Sequence, residues 1–167
     1  MELEQVQADI LTWIENFVEV PHPALGGWPP CPFARQARLK KTFEVYLGSD
    51  PYFDLKNRAR WGMGDREVVI YVYDPVEWPH ELFASSLDQS NQEFLLDADI
   101  LVLEDHPADV EMVNGICMNQ GTYALALVQS LSDLNIKAQQ MAAKGFYDTW
   151  PEDYLSALFQ HRKDPRL

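Results

Sequence analysis

EVVIYVYDPVEWPHELFASSLDQSNQEFLLDADILVL, residues 67–103, changes periodicity twice. Glu67 to Tyr73 is dense in β-branched and aromatic residues, which predicts a strand. Asp74-Pro75 stops it, because proline has no N–H to give a ladder and restricts the residue before it. Pro79 to Leu96 predicts a helix with Leu82, Phe83, Leu87 and Phe94 available to bury. Asp99 to Leu103 predicts a short buried strand that ends at Glu104-Asp105-His106-Pro107.

The flanking segments extend this strand–helix–strand unit. Leu3, Val6, Ile10, Trp13, Ile14, Phe17 and Val18 fall at three-and-four spacing, an amphipathic helix ended by Pro21 and Pro23. Phe43 to Leu47 predicts a strand closed by Gly48-Ser49-Asp50-Pro51. Residues 52–66, rich in aromatic and basic side chains with two glycines, predict a loop or mobile excursion. A helix or turn is expected near Ala108 to Val113. Thr122 to Val128 alternates as a strand, with helix nearly as well supported. Leu131 to Lys144 predicts a helix stopped by Gly145, and Pro151 to Phe159 a last short helix before a polar tail. The order predicts a single α+β domain over 1–167, with a ferredoxin-like antiparallel or mixed sheet and helices packed on one face. A three-layer α/β sandwich is the alternative.

With 167 residues, 47% of them hydrophobic, the chain can build one sizeable core and is not disordered. No apolar run approaches the roughly 18 residues of a membrane span. MELEQVQADI lacks the order of a secretory signal, and two distant cysteines make no disulfide framework, so a cytoplasmic setting is expected. The net charge of −13 disfavours nucleic acid and anionic membranes as partners. Charge is also segregated: residues 35–66 hold eight of the thirteen Lys and Arg, whereas 67–136 hold none and thirteen acids. The basic stretch suits a small anionic ligand or an acidic protein partner, or it simply balances neighbouring acidic surface.

Chemistry is most strongly suggested by VPHPALGGWPPCPFARQARLKK, residues 20–41. Cys31 fits a helix N-cap with Pro32 at the first helical position. There the dipole and free N–H groups would lower a thiol's pKa, and Arg35 and Arg38 would add positive charge one and two turns on. A nucleophilic or metal-ligating Cys31 would need a base, either His22 or His106. The plainer reading makes Cys31 a small buried residue. Glu104 or Asp105 is placed to orient His106, although turns favour these residue types too. Gly115 to Tyr123 offers two glycines and an Asn-Gln pair that fit no phosphate-binding fingerprint. Trp28, Arg58 and Arg60 complete a basic, aromatic region suited to gripping an anion.

Trp13 in an N-terminal helix followed by Cys31-Pro32-Phe33-Ala34 resembles a family of short uncharacterised bacterial proteins. In that family a Trp-bearing helix leads to Asn-Leu-Cys-Pro-Phe-Ala. The resemblance covers about 25 residues, is interrupted by the segment from His22 to Pro30, and implies a cytoplasmic single domain without implying an activity. The expectation is therefore a binding or interaction protein acting through residues near 28–66, with a small Cys31 enzyme as the alternative. Metal and cofactor content stay open.

Overall fold

The computed structural model describes residues 1–167. Helix α1 (Leu3–Trp13) runs into a π-helical turn, Ile14–Val18; after the proline-rich loop come α2 (Ala34–Lys40), β1 (Phe43–Leu47) and α3 (Pro51–Trp61). Next follow β2 (Val68–Tyr73), α4 (His80–Ser90) with its π-helical continuation Asn91–Leu95, and β3 (Ile100–Asp105). A small hairpin, β4 (Met112–Val113) and β5 (Ile116–Cys117), precedes β6 (Ala124–Ser130), α5 (Leu131–Ala143) and α6 (Glu152–Leu158). The main sheet has the order β1-β2-β6-β3, with β1 parallel to β2 and β6 antiparallel to both of its neighbours. The protein is thus a single α+β domain on a mixed sheet. No helix is long and apolar enough to cross a membrane.

Strand alternation sorts the core. Val69, Tyr73, Val102, Ala126 and Val128 point to one face, where they pack with Leu55 of α3 and Phe83 and Leu87 of α4. Ile70, Val72 and Leu125 point to the other, against Val6 and Ile10 of α1. Helices therefore cover both faces rather than one. The reason lies in VVIYVY: a strand apolar on successive residues must be covered on both sides. A third cluster gathers Leu25, Val113, Met141, Phe146, Trp150 and Phe159 around α5, α6 and the proline-rich loop.

Two local expectations change. Residues 51–61 are helical, not a loop, because Asp50 caps α3 by accepting the Phe53 N–H at 3.2 Å and Pro51 sits at its first position. Cys31 is not an N-cap: Phe33 occupies that position and α2 starts at Ala34. Near 108–113, of the helix or turn expected, the structure has the turn, which leads into β4, and the following hairpin closes on Asn114 and Gly115, both at positive φ (50° and 83°). Gly48 is required for contact rather than for its backbone conformation. A methyl group there would land on the ring of Tyr73, which is 1% exposed.

Candidate functional site

β3 is an edge strand, and its outer edge is finished by a side chain. Asn91, in the π-helical turn after α4, accepts from the Val102 N–H and donates to the Val102 carbonyl, both at 3.0 Å. The amide thereby imitates one residue of a neighbouring strand. A cleft of ≈ 840 Å³ runs along this edge, and a smaller, mostly apolar cavity of ≈ 280 Å³ lies between α1, the sheet and the C-terminal helices. Trp13, Cys31, Leu103, Met118, Tyr154 and Leu158 line both, so the two spaces adjoin.

The cleft wall is acidic. Asp88, Glu104, Asp105, Asp109, Glu111 and Asp153 line it, with His80 and His161, and no Lys or Arg does. Alternation at the end of β3 sends the three residues Glu104-Asp105-His106 to three different jobs. Glu104 meets the first residue of α4, with its Oε1 2.9 Å from His80 Nε2, and Asp109 Oδ2 lies 3.3 Å from the same nitrogen. Asp105 turns the other way, accepting from Asn119 Nδ2 at 2.8 Å and from the Gln120 N–H at 2.9 Å. His106 is 2% exposed, and its Nε2 donates to the Trp78 carbonyl at 2.8 Å while Nδ1 accepts the Ala108 N–H at 3.0 Å. Both ring nitrogens are spent, so His106 is a structural histidine.

Asn119 is the strut that shapes this loop. It donates to the carbonyls of His106 and Asp109 at 3.1 and 3.0 Å and accepts the Glu111 N–H at 2.7 Å. Crowding of carboxylates at low solvation raises their proton affinity. Desolvation, with Asp109 beside it, pushes Glu104 up to about 7. Desolvation and the charges of Asp105 and Asp109 push Glu111 up to about 7. Hydrogen bonding to Glu104 raises His80 above its ordinary value. One oxygen of the cluster, Glu104 Oε2, is sealed from solvent and has no hydrogen-bond partner. Nε2 of His80 and one oxygen each of Glu104 and Asp109 lie within 4.8 Å of one another, a spacing that a single cation can bridge.

Of the residues singled out in the sequence, Cys31, Glu104 and Asp105 line these spaces, whereas His22, His106, Trp28, Arg35, Arg38, Arg58 and Arg60 line neither. Its thiol is half-buried, and desolvation pushes its pKa up despite hydrogen bonds from the Phe33 and Ala34 backbone. That is the opposite of the activation expected of an N-cap thiol. His22 is instead the cap of a short turn, its Nδ1 accepting the Ala24 N–H at 3.2 Å, and no hydrogen bond joins it or His106 to Cys31. Arg38 is held by Glu19 through two bonds of 2.9 and 2.7 Å, while Arg35 is exposed. Arg58 donates to the Tyr71 hydroxyl at 3.0 Å and lies over the Tyr46 and Tyr71 rings, and Arg60 is exposed on the same helix. Trp28 packs edge-on to Phe146 at 6.0 Å, folded onto the third core cluster. Trp28, Arg35, Arg38, Arg58 and Arg60 thus line neither the cleft nor the cavity.

His80 and Asp109 carried no motif that would have marked them. The absence of Lys and Arg from 67–136 was the one sequence signal pointing to an acidic cleft. No protein-family model, curated protein or solved structure matches the chain.

Proposed function

We propose that the protein is a binding protein whose cleft holds a divalent cation on His80, Glu104 and Asp109. The observation that carries this reading is the donor set itself: one imidazole nitrogen and two carboxylate oxygens within 4.8 Å, in a cleft without Lys or Arg. A cation there neutralises crowded carboxylates that face no Lys or Arg across the cleft. Three protein ligands leave coordination positions open, as in sites that also accept water or a small molecule. The mixed N and O donors suit Zn²⁺ or Mn²⁺ better than the all-oxygen ions. Covalent catalysis by Cys31 has less support, since the thiol is desolvated and lacks a hydrogen-bonded base.

Calorimetric titration of chelator-treated protein with Zn²⁺ and with Mn²⁺, checked by elemental analysis, tests the reading. One ion per chain is expected, bound at least about tenfold more weakly by His80→Ala and by Glu104→Gln. Binding should tighten from pH 6 to pH 8, because the ligands must shed protons. Binding that ignores both substitutions, or no stoichiometric binding, rejects it.

A further inference from the structure

The apolar cavity carries the opposite imbalance. Two of its charges cancel: Lys137 Nζ lies 3.2 Å from Glu67 and 2.8 Å from Asp133. Arg162 is left over. It forms no ion pair, and the nearby Asp164 is engaged by Arg166 at 2.6 Å. The guanidinium makes one long bond of 3.4 Å from Nη2 to the Leu134 carbonyl and lies over the Phe159 ring at 4.8 Å. Its Nε is sealed from solvent without an acceptor.

Two further donors share that condition. The indole N–H groups of Trp13 and Trp150, residues lining the same cavity, are buried and unpartnered. Every orphaned side-chain atom among the lining residues is thus a donor. An unmet buried donor costs about 1–3 kcal/mol, so three of them around one cavity are expensive unless an acceptor arrives from outside. Desolvation also lowers the pKa of Arg162, as expected of a cation without a partner.

We infer that this cavity binds a small monocarboxylate with an apolar body, the carboxylate meeting the forked guanidinium of Arg162. A planar carboxylate fits that fork through two parallel bonds. The body is apolar because 21 of the 27 lining residues are hydrophobic. At ≈ 280 Å³ the space is larger than the roughly 150 Å³ that holds benzene, room for about ten heavy atoms. The inference rests on Arg162 and the indoles and needs no cation at His80.

Chelator-treated protein titrated with octanoate and 4-phenylbutyrate, against octan-1-ol and 4-phenylbutan-1-ol, separates charge recognition from greasy binding. Calorimetry gives affinities, and tryptophan fluorescence reports occupancy beside Trp13 and Trp150. At least one carboxylate should bind about tenfold more tightly than its alcohol. Arg162→Met should abolish that preference, keep the alcohol's affinity and leave the melting temperature no lower, while Arg162→Lys retains part of the preference. The inference is overturned if neither carboxylate outbinds its alcohol, or if the preference survives in Arg162→Met. Because metal is absent throughout, failure here leaves the cation reading to its own titration.

Discussion

The acidic cleft and the apolar cavity share a wall yet are mirror images in what they lack. Along β3 the unmet atom is an acceptor, Glu104 Oε2, on one of the six carboxylates of the cleft. Beneath α5 and α6 the unmet atoms are donors, on Arg162, Trp13 and Trp150. Proteins satisfy nearly all buried polar groups, so orphans of one kind at one place are informative. The sign of the missing partner differs because the two ends are built from different segments. The cleft draws mainly on residues 80–112, which hold no Lys or Arg, and the cavity draws its free cation from the C-terminal tail.

The most damaging way to probe this contrast is to remove the strut that the cleft is built against. Asn91→Ala strips both partners from the buried Val102 backbone and should cost about 2–4 kcal/mol in urea unfolding, since each unmet group costs about 1–3 kcal/mol. If the acidic cleft alone depends on this edge, cation binding should fall in the variant while carboxylate binding by the cavity persists.

A second probe uses pH and should respond at one end only. In the folded protein Glu104 and Glu111 are both raised to about 7, and His80 is raised too. Groups whose folded pKa exceeds the unfolded value stabilise most at low pH, and that contribution is lost as pH rises through the folded value. The melting temperature of metal-free protein should therefore fall between pH 5 and pH 8. Solvent screening of these part-exposed groups keeps the change to about 1–2 kcal/mol, or a few degrees. The double variant Glu104→Gln/Glu111→Gln should flatten the profile. Arg162→Met should shift it without changing its slope, and a changed slope would break the division between the two ends.

The smallest effect is kinetic and concerns the shared wall. Cys31 is desolvated with a raised pKa, whereas Cys117 is exposed on the hairpin. Mass-mapped iodoacetamide labelling at pH 8 should modify Cys117 at least about tenfold faster. Occupancy of the cavity by octanoate should slow Cys31 further and leave Cys117 alone. Equal rates at the two thiols would mean that the shared wall is open to solvent.

Much of the sheet was legible because β2, α4 and β3 announce themselves by composition and by Asp74-Pro75. Helix α3 was hidden for a physical reason. Its only fully buried residues are Pro51 and Leu55, and the rest mixes basic, acidic and aromatic side chains, so its periodicity is faint and its cap, Asp50, reads equally as a turn. The start of α2 was misjudged by the same ambiguity, since Cys31-Pro32 imitates a cap that the chain places at Phe33. The site was largely illegible. Glu104 was visible, but its partner His80 stands 24 residues away and is brought to it only by the return of α4 along the sheet. Arg162 sat in a tail that reads as polar until the structure shows it beneath the Leu134 carbonyl.

The pairing of Asn91 with Val102 has a consequence for the molecule among its neighbours. An exposed strand edge is a template on which another chain can dock and begin to aggregate. At the centre of β3 that invitation is withdrawn by a single amide, which answers the backbone in its own pattern of one donor and one acceptor. Crowded solutions therefore meet β3 with its middle rung already taken, and the strand that borders the cleft stays available to small solutes while closed to other strands.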